Sequence, residues 1–246
     1  MNFSKLKRPS GNIKPLNPVE IFERLPNLPS TPNDLWRGQT EALEEWHKKR
    51  KESDILIALN TGAGKTLVGL LIAQSLVNEG IQNVTYLCGT IDLVKQTKKE
   101  TEKLGIACTL RISQDFDNNL FETGKAFSIT TYASMFNGFS ALQRKHFPRA
   151  VIFDDAHVAE RVIRDSFTLK ITKSKHPKLF QTITSLFRPH FDELGRQNTF
   201  NQIITGNSPG FSMIAMPSGV LKRAERFNTL LIDENIVNEY PLNKLR

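Results

Sequence analysis

D-I-L-I-A-L-N-T-G-A-G-K-T, residues 54–66, decides how the rest of the chain is read. Ile55 to Leu59 is a short apolar run that predicts a strand, and Lys65-Thr66 opens a helical pattern. Between them lies a turn of small residues, Thr61, Gly62, Ala63 and Gly64. The two glycines can take the positive φ values that aim successive backbone N–H groups into one concavity. A helix starting at Lys65 adds unpaired N–H groups and the positive end of its dipole. Lys65 supplies a point charge for β- and γ-phosphates, and the Thr66 hydroxyl suits Mg²⁺. The usual pattern has a glycine five residues before its last one, where Leu59 stands. A chance match to its second half in a chain of this length has odds of roughly one in a hundred. The plain alternative, a glycine turn joining strand to helix, therefore needs a second motif to displace it.

Outward from this stretch the sequence alternates regularly. Runs at 55–59, 84–88, 106–112, 126–130 and 150–154 predict strands. Helical patterns are read at 35–50, capped by Asp34, and at 65–79, 91–104, 132–137 and 156–165, with Gly80 and Gly105 as stops. A polar loop is read after residue 112, carrying Asp115, Asp117, Asn118 and Asn119. Apolar strands alternating with helices predict an α/β fold with a mostly parallel sheet covered by helices on both faces. Right-handed crossovers put every strand's C-terminal end on one edge, where ligands bind.

Composition bounds the function. The 246 residues suffice for one large domain, or for one domain with an appended subdomain. Residues 1–33 hold six of the twelve prolines and read as an extended lead-in, with a helical turn or two near Pro18 to Leu25. The longest apolar stretch, Leu67 to Val77, is too short and too polar to span a membrane. No secretory h-region is visible, and Cys88 and Cys108 sit in strand-like runs without metal-ligand spacing, so a cytoplasmic protein with buried thiols is expected. The net charge of +8 is unevenly spread: residues 34–168 carry 17 basic and 17 acidic side chains, whereas 169–246 carry 11 and 6. Excess basic charge suits a phosphate-rich partner only if it shares a face.

A second chemical signal stands at the end of the strand Val151-Ile152-Phe153, which runs into Asp154-Asp155-Ala156-His157. A carboxylate at a strand tip facing a phosphate loop is where a Mg²⁺–water shell is held. A second carboxylate beside it can position or deprotonate an attacking water. The competing role, capping the next helix, is also common for Asp.

T-G-A-G-K-T, D-D-A-H and their separation resemble the first motor domain of superfamily 2 DExH/DEAH-box helicases and translocases, which is RecA-like. The resemblance implies ATP and Mg²⁺ on residues 61–66, with Lys65 on the phosphates and Thr66 and Asp154 on the metal. It gives Asp155 the attacking water and His157 the coupling to nucleic acid. L-W-R-G-Q, residues 35–39, falls where the family reads adenine, implying that role for Gln39. C-G-T-I-D-L-V-K-Q, residues 88–96, and I-T-T-Y, residues 129–132, fall where it touches the nucleic-acid backbone, implying Thr90, Gln96 and Thr131. This sequence departs from the pattern at Asp155, where Glu is usual, and at Gly89 and Ile91. Past residue 168 no Ser/Thr-Ala-Thr stretch is found, although Pro209 to Gly219 is strand-like.

The expected organisation is a lead-in at 1–33, a motor domain at 34–168 and a basic, mainly helical extension at 169–246. The expected activity is nucleic-acid-dependent ATP hydrolysis, on DNA or RNA. It is expected to need a second RecA-like domain, in cis or in trans, for which this length leaves no room. The rival is a catalytically silent ATP-binding scaffold.

Overall fold

The structure is a computed structural model that describes residues 14–26, 28–29, 31–112, 115–137, 140–166, 168–207 and 212–233. It divides into two compact units, Met1–Ser166 and Phe167–Arg246.

The first unit is an α/β sandwich. Its sheet comprises β1 (Val84–Cys88), β2 (Cys108–Ile112), β3 (Asp115–Phe116), β4 (Phe127–Thr131) and β5 (Ala150–Phe153), in the order β3-β2-β4-β1-β5. All neighbours are parallel except β2 and β3. Every residue of β1 is buried, because helices cover both of its faces and strands flank both edges. Packed about the sheet are α2 (Arg37–Lys49), α3 (Lys65–Asn78), α4 (Ile91–Leu104), α5 (Tyr132–Met135), α6 (Ala141–Arg144) and α7 (Ala156–Ser166). α3 is apolar nearly all round and supplies Val68, Leu70, Leu71, Ile72 and Ala73 to the main core. Its Gly69 lies so close to Tyr86 of β1 that a Cβ there would stand 2.8 Å from the ring.

The lead-in is part of this unit. A short helix, α1 (Pro18–Glu23), buries Ile21 in the main core. The carbonyls of Pro15 and Leu16 accept hydrogen bonds from Asn78 and Ser75 of α3.

Three expectations need correction. Residues 55–59 form no strand: Ile55, Ile57 and Leu59 are half-buried against the core and Leu56 is 87% exposed, but no ladder forms. Alternation reports which side chains face the core; a strand also needs a neighbour, and among the described residues β5 is the edge of the sheet. The polar loop after residue 112 contains β3, paired antiparallel with β2. Its Asp117 and Asn118 side chains bond to the backbone at Leu110 and Cys108, so polar residues continue the ladder. Finally, Asp34 does not cap α2: the N-cap is Trp36, whose amide donates to Gln39 Oε1 at 2.9 Å.

The second unit is helical: α8 (Pro177–Glu193), α9 (Gln197–Thr205), α10 (Pro217–Leu221) and α11 (Ala224–Asp233). Of the strand-like run at 209–219, residues 209–211 lie outside the described residues, 212–216 are extended without pairing, and 217–219 begin α10. His190 of α8 is buried against Gly219 and accepts the Met216 amide at 3.1 Å.

Candidate nucleotide site

The turn before α3 has the backbone that its glycines predict. Gly62 and Gly64 take φ of 81° and 72°, and Gly64 is the N-cap of α3. The loop closes with the Ala63 amide on Asn60 O at 3.1 Å. Lys65 is exposed and Thr61 lies on the open side, so both are free to meet a ligand.

Gln39 approaches this loop from α2. Its Nε2 donates to Ala63 O at 2.9 Å, its Oε1 holds the Trp36 amide, and the residue is 5% exposed. A Cβ on Gly64 would lie 2.3 Å from that Nε2. Gln39 thus fastens α2 to the phosphate loop, and each end of its carboxamide retains capacity for a further hydrogen bond.

Asp154 continues the β5 line: its amide donates to Leu87 O of β1 at 3.0 Å. Burial pushes its carboxyl up, and the Asp155 charge adds to this, while a Tyr86 hydrogen bond and Lys65 work the other way. The Lys65 charge is the smallest of these influences. Asp154 has no ion-pair partner among the described residues. A half-buried carboxylate of this kind is suited to a cation, and the Thr66 hydroxyl at the start of α3 would be a second hard oxygen donor. Among the described residues no three His, Cys, Asp or Glu side chains could hold a metal by themselves. Mg²⁺ bound with phosphates needs only one or two protein ligands, so this donor set fits it.

Among the described residues, Asp155 is one of two non-glycine residues with positive φ, at 67°. Asp tolerates this left-handed conformation better than most residues. Its side chain is 43% exposed, with Oδ1 2.8 Å from His157 Nε2. His157, 81% exposed at the start of α7, is therefore already tied to the water-positioning candidate.

The remaining candidates stand at neighbouring strand ends. Cys88 of β1 is in register with Thr131 of β4, and two residues beyond Cys88 lies Thr90. Thr90 caps α4, accepting the Leu93 amide at 3.2 Å, and Gln96 is exposed further along that helix. Thr131 caps α5, accepting the Ser134 amide at 3.1 Å. Two residues carry more of the site than the sequence reading assigned to them. Tyr86, buried in the middle of β1, has its hydroxyl pushed up by burial and then by the charge of Asp154, and Tyr132 donates to the Asp154 carbonyl. A tyrosine in an otherwise apolar buried run was the available signal, since its hydroxyl needs a partner.

A phosphate loop and a strand-end carboxylate on one edge of a mostly parallel sheet define a nucleoside-triphosphate-binding α/β domain. The chain belongs to the family described as ResIII, type III restriction enzyme, res subunit, which matches residues 34–187. It is thus a first RecA-like domain of the superfamily 2 helicase type, with a helicase-like ATPase architecture. No curated protein and no solved structure matches the chain. No helix among the described residues is long and apolar enough to cross a membrane.

Proposed function

We propose that this chain is the ATP-binding first motor domain of a nucleic-acid-dependent ATPase of the helicase or translocase type, working in the cytoplasm. The observation that carries the proposal is the loop left-handed at Gly62 and Gly64 that opens α3 at Lys65, together with the carboxylates of Asp154 and Asp155 at the C-terminal end of β5. The backbone amides of Thr61, Gly62, Ala63 and Gly64 would cradle the phosphates, with Lys65 on the β- and γ-phosphates. Gln39, fixed beside the loop, would read adenine with its remaining hydrogen-bonding capacity. Thr66 and Asp154 would hold Mg²⁺, which when bound neutralises charge on the transferring phosphate. Asp155 would position the attacking water and pass its proton toward His157, its partner in the free protein. The Thr90 and Thr131 hydroxyls, with Gln96, would meet the nucleic-acid backbone, and the basic residues of 169–246 would add affinity.

Fast hydrolysis in this reading needs arginines from a second RecA-like domain, in cis or in trans. Such fingers are worth roughly 10³–10⁵ in rate in related phosphoryl-transfer enzymes. The 246-residue chain alone should therefore bind ATP and hydrolyse it barely above background. ATP turnover measured with and without DNA or RNA tests this. Vigorous nucleic-acid-stimulated turnover by the chain alone would contradict the need for a second domain. ATP binding that no nucleic acid alters, even with the second domain present, would instead make it a silent scaffold.

A further inference from the structure

We propose that Tyr132 is a positioning residue that ties the nucleic-acid end of β4 to the metal-and-water turn after β5. The inference rests on the nucleotide-site reading above and adds a residue that the reading does not use.

Tyr132 directly follows Thr131, the strand-end threonine, and its side chain is fully buried. Its hydroxyl donates to the carbonyl of Asp154 and lies 3.4 Å from the carbonyl of Asp155. Its ring stacks on Phe153, with centroids 5.9 Å apart. The hydroxyl therefore grips the two peptide groups between which the chain turns left-handed, with Asp155 at φ 67°. A non-glycine residue in that conformation persists only when its surroundings hold it there. The direction in which Asp154 and Asp155 present their carboxylates is set by this turn.

At its other end, Tyr132 sits on a turn that is held just as firmly. Thr131 Oγ1 accepts the Ser134 amide, and Ser134 Oγ accepts a hydrogen bond from Arg111, a buried residue of β2. While it accepts the Ser134 amide, the Thr131 hydroxyl can donate its proton to a phosphate oxygen, and a phosphate held there pulls on the cap and on the turn 131–135. Tyr132 is rigidly packed, so the pull reaches the carbonyls at 154 and 155. Conversely, Mg²⁺ and ATP drawing on Asp154 load the same hydrogen bond. Two ligands acting on one element are coupled, and the coupling is reciprocal.

The test uses the full chain and two variants, Tyr132→Phe and Phe153→Leu. The probes are a fluorescein-labelled 20-nucleotide single strand, as DNA and as RNA, and a non-hydrolysable ATP analogue with Mg²⁺. In the natural chain, saturating nucleotide should change oligonucleotide affinity by roughly fivefold or more, and Tyr132→Phe, measured at concentrations that saturate it with nucleotide, should bring that ratio close to one. Phe153→Leu removes the ring stack but keeps the hydroxyl, and should retain the coupling. Full coupling in Tyr132→Phe, equal loss in Phe153→Leu, or a natural chain that binds both ligands without coupling would each overturn the proposal. If the natural chain binds no nucleotide at all, the nucleotide-site reading fails, and this inference fails with it.

Discussion

Gly64 and Gln39 leave no room for each other's variants. Gly64 needs a left-handed φ of 72°, and a methyl group there would also meet the Gln39 amide at 2.3 Å. Gly64→Ala should cost about 1–2 kcal/mol for the backbone alone. It should also lose most ATP affinity, because Gln39 is pushed off the loop. A thermal melt paired with a nucleotide titration reads both effects, and undiminished ATP affinity would refute the described loop geometry. Asp155 makes the opposite prediction. Asn tolerates the same left-handed conformation, so Asp155→Asn should melt within a few degrees of the natural chain and still bind ATP–Mg²⁺. With the second motor domain present, it should lose on the order of 100-fold or more in phosphate release, the usual worth of a general base. Asp155→Glu should be less active than the natural Asp, because the longer side chain overreaches a turn already closed by His157. Neither the left-handed turn nor the His157 contact was legible in D-D-A-H, since a motif names residue types and leaves their backbone angles open.

Among the elements, α2 and α3 are joined by charge as well as by packing. Glu79, just past α3, meets the half-buried Arg50 at 2.5 Å and Lys51 at 2.8 Å. Its carboxyl is held low chiefly by the Lys51 hydrogen bond, and Arg50 adds to this. Because the folded pKa lies below the unfolded one, the stabilisation is present above the unfolded value. It is lost as pH falls through the folded one. Glu79→Gln should therefore cost roughly 1–3 kcal/mol at neutral pH by leaving Arg50 poorly paired, and the difference should vanish in acid. Denaturant melts of both proteins across pH 2–7 would show this, and a gap that persists in strong acid would refute it. The strands give a chemical counterpart. Burial pushes the Cys88 thiol up to about 12 and that of Cys108 above its usual value. Neither should react with a disulfide reagent at pH 8 until the protein unfolds. α3 and α4 were legible because Gly80 and Gly105, both left-handed in the structure, stop them, and β1 because V-T-Y-L-C is a short run of strand-forming residues. The pairing of β3 was not, because its backbone is completed by Asp117 and Asn118 side chains, which in sequence look like a solvated loop.

For the molecule as a whole, the α/β layering was legible in the alternation of apolar runs and helical patterns. The sequence could not show that residues 55–59 lack a ladder: their alternation is the same whether or not a strand lies beside them. The phosphate loop is consequently held from its flanks, by Gln39 and by the packing of α3, instead of by a strand behind it. The second unit has its own small core around Leu179 and Leu231, so residues 169–246 should be removable without unfolding the first. If the basic side chains there bind phosphates, that deletion should weaken DNA or RNA affinity and flatten its salt dependence. Unchanged affinity would confine the contacts to the first unit. All of this depends on residues 61–66 and Asp154 being a nucleotide site. Calorimetric titration of ATP with Mg²⁺ into the natural chain and into Lys65→Ala is the most direct measurement. One ATP should bind the natural chain, and Lys65→Ala, with an unchanged melting temperature, should bind at least about tenfold more weakly, a loss of 1.4 kcal/mol or more. Equal affinity in two folded proteins, or no binding by the natural chain, would contradict the account.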